Sequence, residues 1–273
     1  MAVPDATRLL DLLSLKGKVV AITGVSGFDG IGHEVARGCA EMGADVAMTY
    51  YQRQDEARRI ADDIQTEYGV RVKAYALDVT DEEATRQFVD DVVRDFGRID
   101  SFVANAGIVR YGPFNELPVT EWEQVFKVNL VGTMHCARAV RPYFQKQGYG
   151  SLVISASTLG HYICPFVPGT AYVSSKAGLL HLGRQLAYEW RAFARVNTVF
   201  PGYLEVGQVP TIGEVFAAGA EKLAAADRLG KAKEIKAAYV YLMSDASSFT
   251  TGSDISCDGG LRLGPSAIPG QTM

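Results

Sequence analysis

A tyrosine and a lysine stand four residues apart in Tyr172-Val173-Ser174-Ser175-Lys176. On a helix this spacing places both side chains on one face, about one turn apart. An ammonium held beside a phenol favours the phenolate and lowers a pKa that is otherwise about 10. Such a pair is a proton donor usable near neutrality. The same spacing also occurs on ordinary helix surfaces. A chemical reading therefore needs a cofactor site, an oxyanion donor and the right order of elements around the pair.

The cofactor site is foreshadowed near the N-terminus. Lys18-Val19-Val20-Ala21-Ile22-Thr23 is short, β-branched and apolar on both faces, the pattern of a buried strand. It runs into Gly24-Val25-Ser26-Gly27-Phe28-Asp29-Gly30-Ile31-Gly32, and helical spacing follows at Ile31, Val35, Cys39 and Met42, ending at Gly43. Strand, glycine-rich turn and helix form the context in which a glycine pattern marks a dinucleotide site. The glycines let the backbone turn tightly and let a pyrophosphate approach the free N–H groups of the helix N-terminus. Gly24, Ser26, Gly30 and Ile31 are the candidate contacts.

The second strand, Asp45 to Tyr50, ends in Tyr50-Tyr51-Gln52-Arg53. An NAD site would usually carry an acid there for the ribose 2′-hydroxyl. No acid comes before Asp55, and Asp45 sits at the other end of the strand. Arg53 is thus a candidate partner for the extra phosphate of NADP(H), or else a solvated residue opening the next helix. The missing acid also argues against a methyltransferase.

Alternation continues to the C-terminus. Helical stretches are expected over Glu56 to Tyr68, Asp81 to Phe96, Pro118 to Gln147, Ala171 to Phe193 and Ile235 to Met243. Strands are expected over Val70 to Leu77, Ile99 to Ala104, Ser151 to Ser155, Arg195 to Phe200 and Asp254 to Cys257. Strands alternating with helices imply α/β class: one Rossmann-type domain, residues 17–260, built on a doubly wound parallel sheet of about seven strands with helices on both faces. Residues 1–16 read as an N-terminal arm, about 206–228 as a lid and 261–273 as a tail. No composition shift marks a second domain and no segment repeats.

Composition excludes several classes. Lys and Arg number 27 against 31 Asp and Glu, for a net charge of −4, so no basic excess points to nucleic acid. The four cysteines and four histidines are scattered without metal-ligand spacing. Residues 1–15 hold acids and an Arg and no apolar run of leader length, and no apolar run elsewhere is long enough for a bilayer. A cytoplasmic protein without metal or membrane partner is expected.

Taken together and in this order, the glycine turn, Asp78, Asn105-Ala106-Gly107, Asn129, Ser157, Tyr172, Lys176, Pro201-Gly202 and Asp258-Gly259-Gly260 resemble the short-chain dehydrogenase/reductase family over about Leu15 to Gly260. Within it, Gly38 to Asp45 and Glu189 to Asn197 look like the fungal and yeast NADPH-dependent mannitol, xylulose and sorbose reductases. The resemblance implies a catalytic set of Asn129, Ser157, Tyr172 and Lys176. Tyr172 would give a proton to a carbonyl oxygen as hydride arrives from nicotinamide. Lys176 would lower its pKa and hold the nicotinamide ribose, Ser157 would bond the developing alkoxide, and Asn129 would hold a relay water. Asp78 and Val79 would flank the adenine. Asn105, Ala106 and Gly107 would flank the ribose and nicotinamide half, with Pro201, Gly202 and Leu204 completing the cofactor wall. Plainer roles are also open: Ser157 as a strand-end cap, Asn129 as a bend in its helix, Asp78 as a helix cap. A homotetramer is implied as well.

Three departures stand out. The glycine turn is two residues longer than is usual in the family, an insertion the fungal polyol reductases share. Asp29 precedes Gly30, where NADP-preferring relatives often carry a basic residue. Val206 stands where a Thr often bonds the carboxamide.

The expected substrate side is Leu159, His161, Phe166 and Tyr203, in a largely apolar and aromatic stretch. The reading is an NADP(H)-dependent oxidoreductase acting on a ketone or secondary alcohol, either a ketose/polyol or other carbonyl. One alternative is a ketoreductase of a fungal secondary-metabolite pathway acting on a bulkier ketone. Another, from a different class, is a catalytically silent NADP-binding regulator, for which the intact set of four would have little use.

Overall fold

The β-branched runs become strands, and the amphipathic stretches between them become the helices that cover the sheet. In the computed structural model, which describes residues 3–25, 27–163, 168–206, 219, 221 and 223–263, the order is as follows. Helix α1 (Leu9–Leu13) precedes β1 (Val19–Ile22), α2 (Ile31–Glu41), β2 (Asp45–Tyr50), α3 (Gln54–Tyr68), β3 (Val72–Ala76), α4 (Glu82–Phe96) and β4 (Ser101–Ala104). Then come α5 (Val119–Phe126), a π-helical turn (Lys127–Val131), α6 (Gly132–Gln147), β5 (Ser151–Ser155), α7 (Thr170–Glu189), β6 (Arg195–Pro201), α8 (Ala232–Met243) and β7 (Asp254–Cys257).

All seven strands run parallel in the order β3-β2-β1-β4-β5-β6-β7. Helices α2, α3 and α8 pack on one face, where Val35, Ile60, Ile64, Tyr239 and Met243 meet Val20, Ile22 and Val46. Helices α4, α6 and α7 pack on the other, where Phe88, Val92, Phe144 and Leu179 meet Ala21, Phe102 and Leu152. Covered on both faces, the central strands are mostly apolar: β1, β4 and β5 are buried at every position.

Strand order reverses between β1 and β4, and a crevice opens there at the carboxyl ends of the strands. Residue 24 has φ +76°, and a Cβ on it would lie 2.8 Å from Ala106 Cα. A Cβ at Gly32 would lie 2.7 Å from the Gly24 carbonyl oxygen. Only glycines let α2, the glycine turn and the turn after β4 close on each other there.

The long helix expected over Pro118 to Gln147 is present but not uniform. A wide π turn interrupts it at Lys127–Val131, around Asn129. Such turns are rare and often mark functional positions. At the other end of the sheet, the buried Arg195 guanidinium donates to the carbonyls of Leu242 and Ser244 and to Ser247 Oγ. These bonds satisfy the last carbonyls of α8 and anchor it to β6.

Candidate active site

A cleft of about 710 Å³ follows the strand ends. Its wall takes Gly24 and Gly30 to Gly32 from the glycine turn, Tyr50 to Arg53 after β2, and Leu77 to Val79 after β3. Asn105 to Gly107 follow β4, Ser155 to Leu159 follow β5, Tyr172 and Lys176 come from α7, and Pro201 to Leu204 follow β6.

The glycine-turn half is knitted by hydroxyls and amides. Thr23 Oγ1 accepts from the backbone N–H groups of Asn105 and Ala106, at 3.0 and 3.1 Å. Asn105 Nδ2 donates back to the carbonyls of Thr23 and Gly24, at 3.0 and 3.2 Å. Asn105 therefore spends its amide on holding the turns together. Asp78 Oδ1 accepts from Thr80 N, while the cap of α4 is Asp81, whose carboxylate accepts from Ala84 N. Asp78 is thus a turn residue on the cleft wall, not a helix cap. Arg53 is largely exposed, bonds Glu56 Oε2 at 3.3 Å, and brings Nη1 to about 4.0 Å from where a Cβ on Gly27 would sit. The guanidinium thus lies beside the glycine turn. Asp29 has φ +65°, and its backbone N–H meets His33 Nδ1 at 3.3 Å.

At the other half, Tyr172 and Lys176 share one face of α7, with Lys176 Nζ 5.7 Å from the Tyr172 ring centroid. Lys176 is buried, and its ammonium donates to the Ser155 carbonyl at 2.9 Å. Burial pushes the ammonium down to about 8. Ser157 has extended backbone and caps the 3₁₀ turn Thr158–Gly160, accepting from Leu159 N at 3.2 Å. That bond uses a lone pair and leaves the hydroxyl proton to donate into the cleft. Capping and oxyanion donation are therefore compatible roles for one hydroxyl.

Asn129 is fully buried behind this group and does not line the cleft. Its Oδ1 accepts from Ile108 N at 2.8 Å, and its Nδ2 donates to the Ile108 carbonyl and to Ser175 Oγ, each at 3.0 Å. The side chain clamps the loop after β4 to α7 one residue before Lys176.

A family model described as enoyl-(acyl carrier protein) reductase matches residues 24–262. An NADP-dependent mannitol dehydrogenase of Hypocrea jecorina is 51% identical over 258 residues, covering 94% of this chain and 97% of that protein. Among solved structures, the NADPH-dependent 3-quinuclidinone reductase from Rhodotorula rubra superposes with a TM-score of 0.92 at 38% identity, covering 96% of this chain and 98% of that one. A short-chain type dehydrogenase/reductase from Mycobacterium marinum superposes with a TM-score of 0.88 at 35% identity, over 93% and 99% of the two chains. The chain belongs to the short-chain dehydrogenase/reductase family.

In this short-chain dehydrogenase/reductase, Pro201 and Gly202 are held from two sides. The Pro201 carbonyl accepts from Thr158 Oγ1, and Gly202 N donates to the Cys257 carbonyl. Leu204 is buried and bridges Gly230. Val206 does face the cleft, so its apolar side chain stands where a bonding hydroxyl is common.

The substrate side differs from the sequence expectation. Leu159 and Tyr203 line the cleft. His161 does not: its ring packs 4.4 Å from that of Phe200 and lines a neighbouring cleft with Tyr162, Arg184 and Arg262. Ser26, Phe166, most of the expected lid and the tail from 264 lie outside the described residues. Unforeseen wall residues come from the loop after β4, from α5 and from the π turn: Arg110, Tyr111, Gln124 and Val128. Arg110 Nε bonds Glu121 Oε2 at 2.6 Å. These residues sit in a loop or on the helical stretch before α6. No periodicity connects them to the catalytic set, so no sequence signal marked them.

Proposed function

We propose that this chain is an NADP(H)-dependent oxidoreductase that interconverts a polyhydroxylated ketone and its polyol, with Tyr172 handling the proton at the substrate oxygen. The observation that carries this is convergence. Ser157 Oγ, Tyr172 and the Lys176 ammonium border one end of a single cleft whose other end is a glycine turn beside an arginine.

The cleft fits a dinucleotide phosphate: Gly30 to Gly32 line it at the N-terminus of α2, which has no side-chain cap, and Arg53 stands beside the turn for a 2′-phosphate. When bound, the nicotinamide supplies or takes up the hydride. The chain's own residues do the rest. Ser157 orients and polarises the carbonyl oxygen, Tyr172 delivers a proton to it, and Lys176 favours the phenolate that remains. Asn129 holds the loop and helix that frame them.

Polar groups at Arg110, Tyr111 and Gln124 border the substrate end. They favour a substrate with several hydroxyls over a bulky apolar ketone, since directional polar groups in a pocket set orientation. The mannitol dehydrogenase likeness supports the same class. The test is NADPH oxidation with ketohexoses and ketopentoses against aryl ketones and diketones; turnover confined to the apolar ketones would overturn the substrate class.

Arg53→Gln is expected to lower kcat/KM for NADPH about 10- to 100-fold, the worth of a charge-assisted hydrogen bond, and to leave that for NADH unchanged. Equal losses with both cofactors would remove Arg53 from 2′-phosphate recognition. The reading extends to a homotetramer in the cytoplasm. Light scattering is expected to give four times the 29.5 kDa chain mass, and a monomer would contradict it. Among the described residues no helix is long and apolar enough to cross a membrane.

A further inference from the structure

Tyr239 is an unusual occupant of its place. It lies on the inner face of α8 with no exposed surface, among Val153, Val199, Ile235 and Met243. Phenylalanine would fill that space without a polar atom to satisfy. A buried hydroxyl is tolerated only when paired, because an unmade bond there carries the full desolvation cost. Its hydroxyl is paired with Ser155 Oγ, at 2.9 Å.

Ser155 is a junction. It is the last residue of β5, and it is buried. Its carbonyl accepts the Lys176 ammonium at 2.9 Å, and Ser157 follows two residues later. The strand end is held to β6 by the Ala156 N–H on the Val199 carbonyl. On the α8 side, the Tyr239 hydroxyl holds it. Helix α8 is itself fixed, since the Leu242 carbonyl accepts from Arg195 Nη1 and from Ser151 Oγ, both at 2.8 Å.

We propose that Tyr239 is a positioning residue of the active site: through Ser155 it fixes the carboxyl end of β5, and so sets both the carbonyl that holds Lys176 and the strand end that presents Ser157. Tyr239 does not line the cleft. Its effect passes through one hydroxyl-to-hydroxyl bond. Small displacements of groups that must meet a reacting atom are costly in rate while leaving binding largely intact.

The inference rests on the roles given above to Ser157 and Lys176, and the experiment separates the two. Tyr239→Phe, Ser155→Ala and the double variant are compared with the parent, using NADPH and the ketose the parent turns over fastest. Active sites are counted by NADPH binding. The expected result is a kcat per site about tenfold lower in each single variant, with the NADPH dissociation constant and Tm close to the parent's. The double variant should be no slower than the slower single, because both changes cut the same bond.

A purely structural role would lower Tm and the number of sites while leaving kcat per site unchanged. That result, or losses that multiply in the double variant, would overturn the proposal. Should Tyr239→Phe fail to accumulate, Ser155→Ala and Ser155→Thr decide together, since Ser155 also borders the cleft: a tenfold loss of kcat in Ser155→Ala that Ser155→Thr, which keeps the hydroxyl, restores supports the proposal, and a parental kcat in Ser155→Ala or equal losses in both rejects it. If the parent reduces no ketone, or if Tyr172→Phe is as fast as the parent, it is the functional reading that has failed.

Discussion

Tyr172→Phe is expected to bind NADPH as the parent does and to reduce ketones about 10²- to 10⁴-fold more slowly, the usual worth of a positioned acid–base group. The ring stays, so packing on α7 and the neighbourhood of Lys176 are preserved; only the phenolic hydroxyl is lost. Ser157 retains its hydroxyl, but an aliphatic hydroxyl is a far weaker acid than a phenol, and Lys176 stands one turn from Tyr172. Stopped-flow measurement of NADPH oxidation separates binding from turnover. Parental kcat with intact binding would remove Tyr172 as the proton donor.

Lys176→Met is expected to abolish turnover and to alter how stability depends on pH. Burial holds the ammonium at about 8, against 10.5 for an ordinary lysine. Between those values the unfolded chain carries the proton and the folded chain does not. Unfolding takes up a proton there, so stability rises with pH across that window. Below about 8 both states are protonated, and the folded state bears the whole cost of the buried charge. Integrated over the window, the change is about 3 kcal/mol.

Met keeps the unbranched stem and has no proton to gain. The stability of the parent relative to the variant is therefore expected to rise by about 3 kcal/mol from neutral pH to about pH 10.5. Urea unfolding of both proteins without cofactor measures it. A difference that stays flat with pH would show that Lys176 does not titrate as a desolvated ammonium. In the proposed mechanism the parent carries this cost because a charge held near a phenol serves the proton transfer even though it destabilises the fold.

Much of the architecture was legible because the central strands are short and buried on both faces, and the helices that cover them carry apolar faces. Strands β2, β5 and β7 coincide with the spans expected from the sequence. The expected helix through Phe193 instead ends at Glu189, where buried Trp190 turns the chain inward. The π turn was not legible, since one extra residue in a helical turn leaves no mark in an apolar pattern. It surrounds Asn129, whose identity was noticed but whose clamp on Ile108 and Ser175 joins residues 21 and 46 positions away.

The order of chemical groups along the chain was set by the sequence alone. A glycine turn opens a helix, an arginine replaces an acid after β2, a serine follows β5, and a tyrosine and lysine share a helical face. Local backbone geometry suffices to read these, because each depends on residues within a turn or two. What tertiary structure decided was how single polar atoms are used. It turned the Asn105 amide onto the glycine turn, took His161 to another cleft, brought Arg110 and Gln124 to the cleft wall, and set the Tyr239 hydroxyl on Ser155. Those outcomes depend on which strand ends and helices meet in the folded chain, and hydrogen bonds form only at contact distance, so no one-dimensional pattern records them.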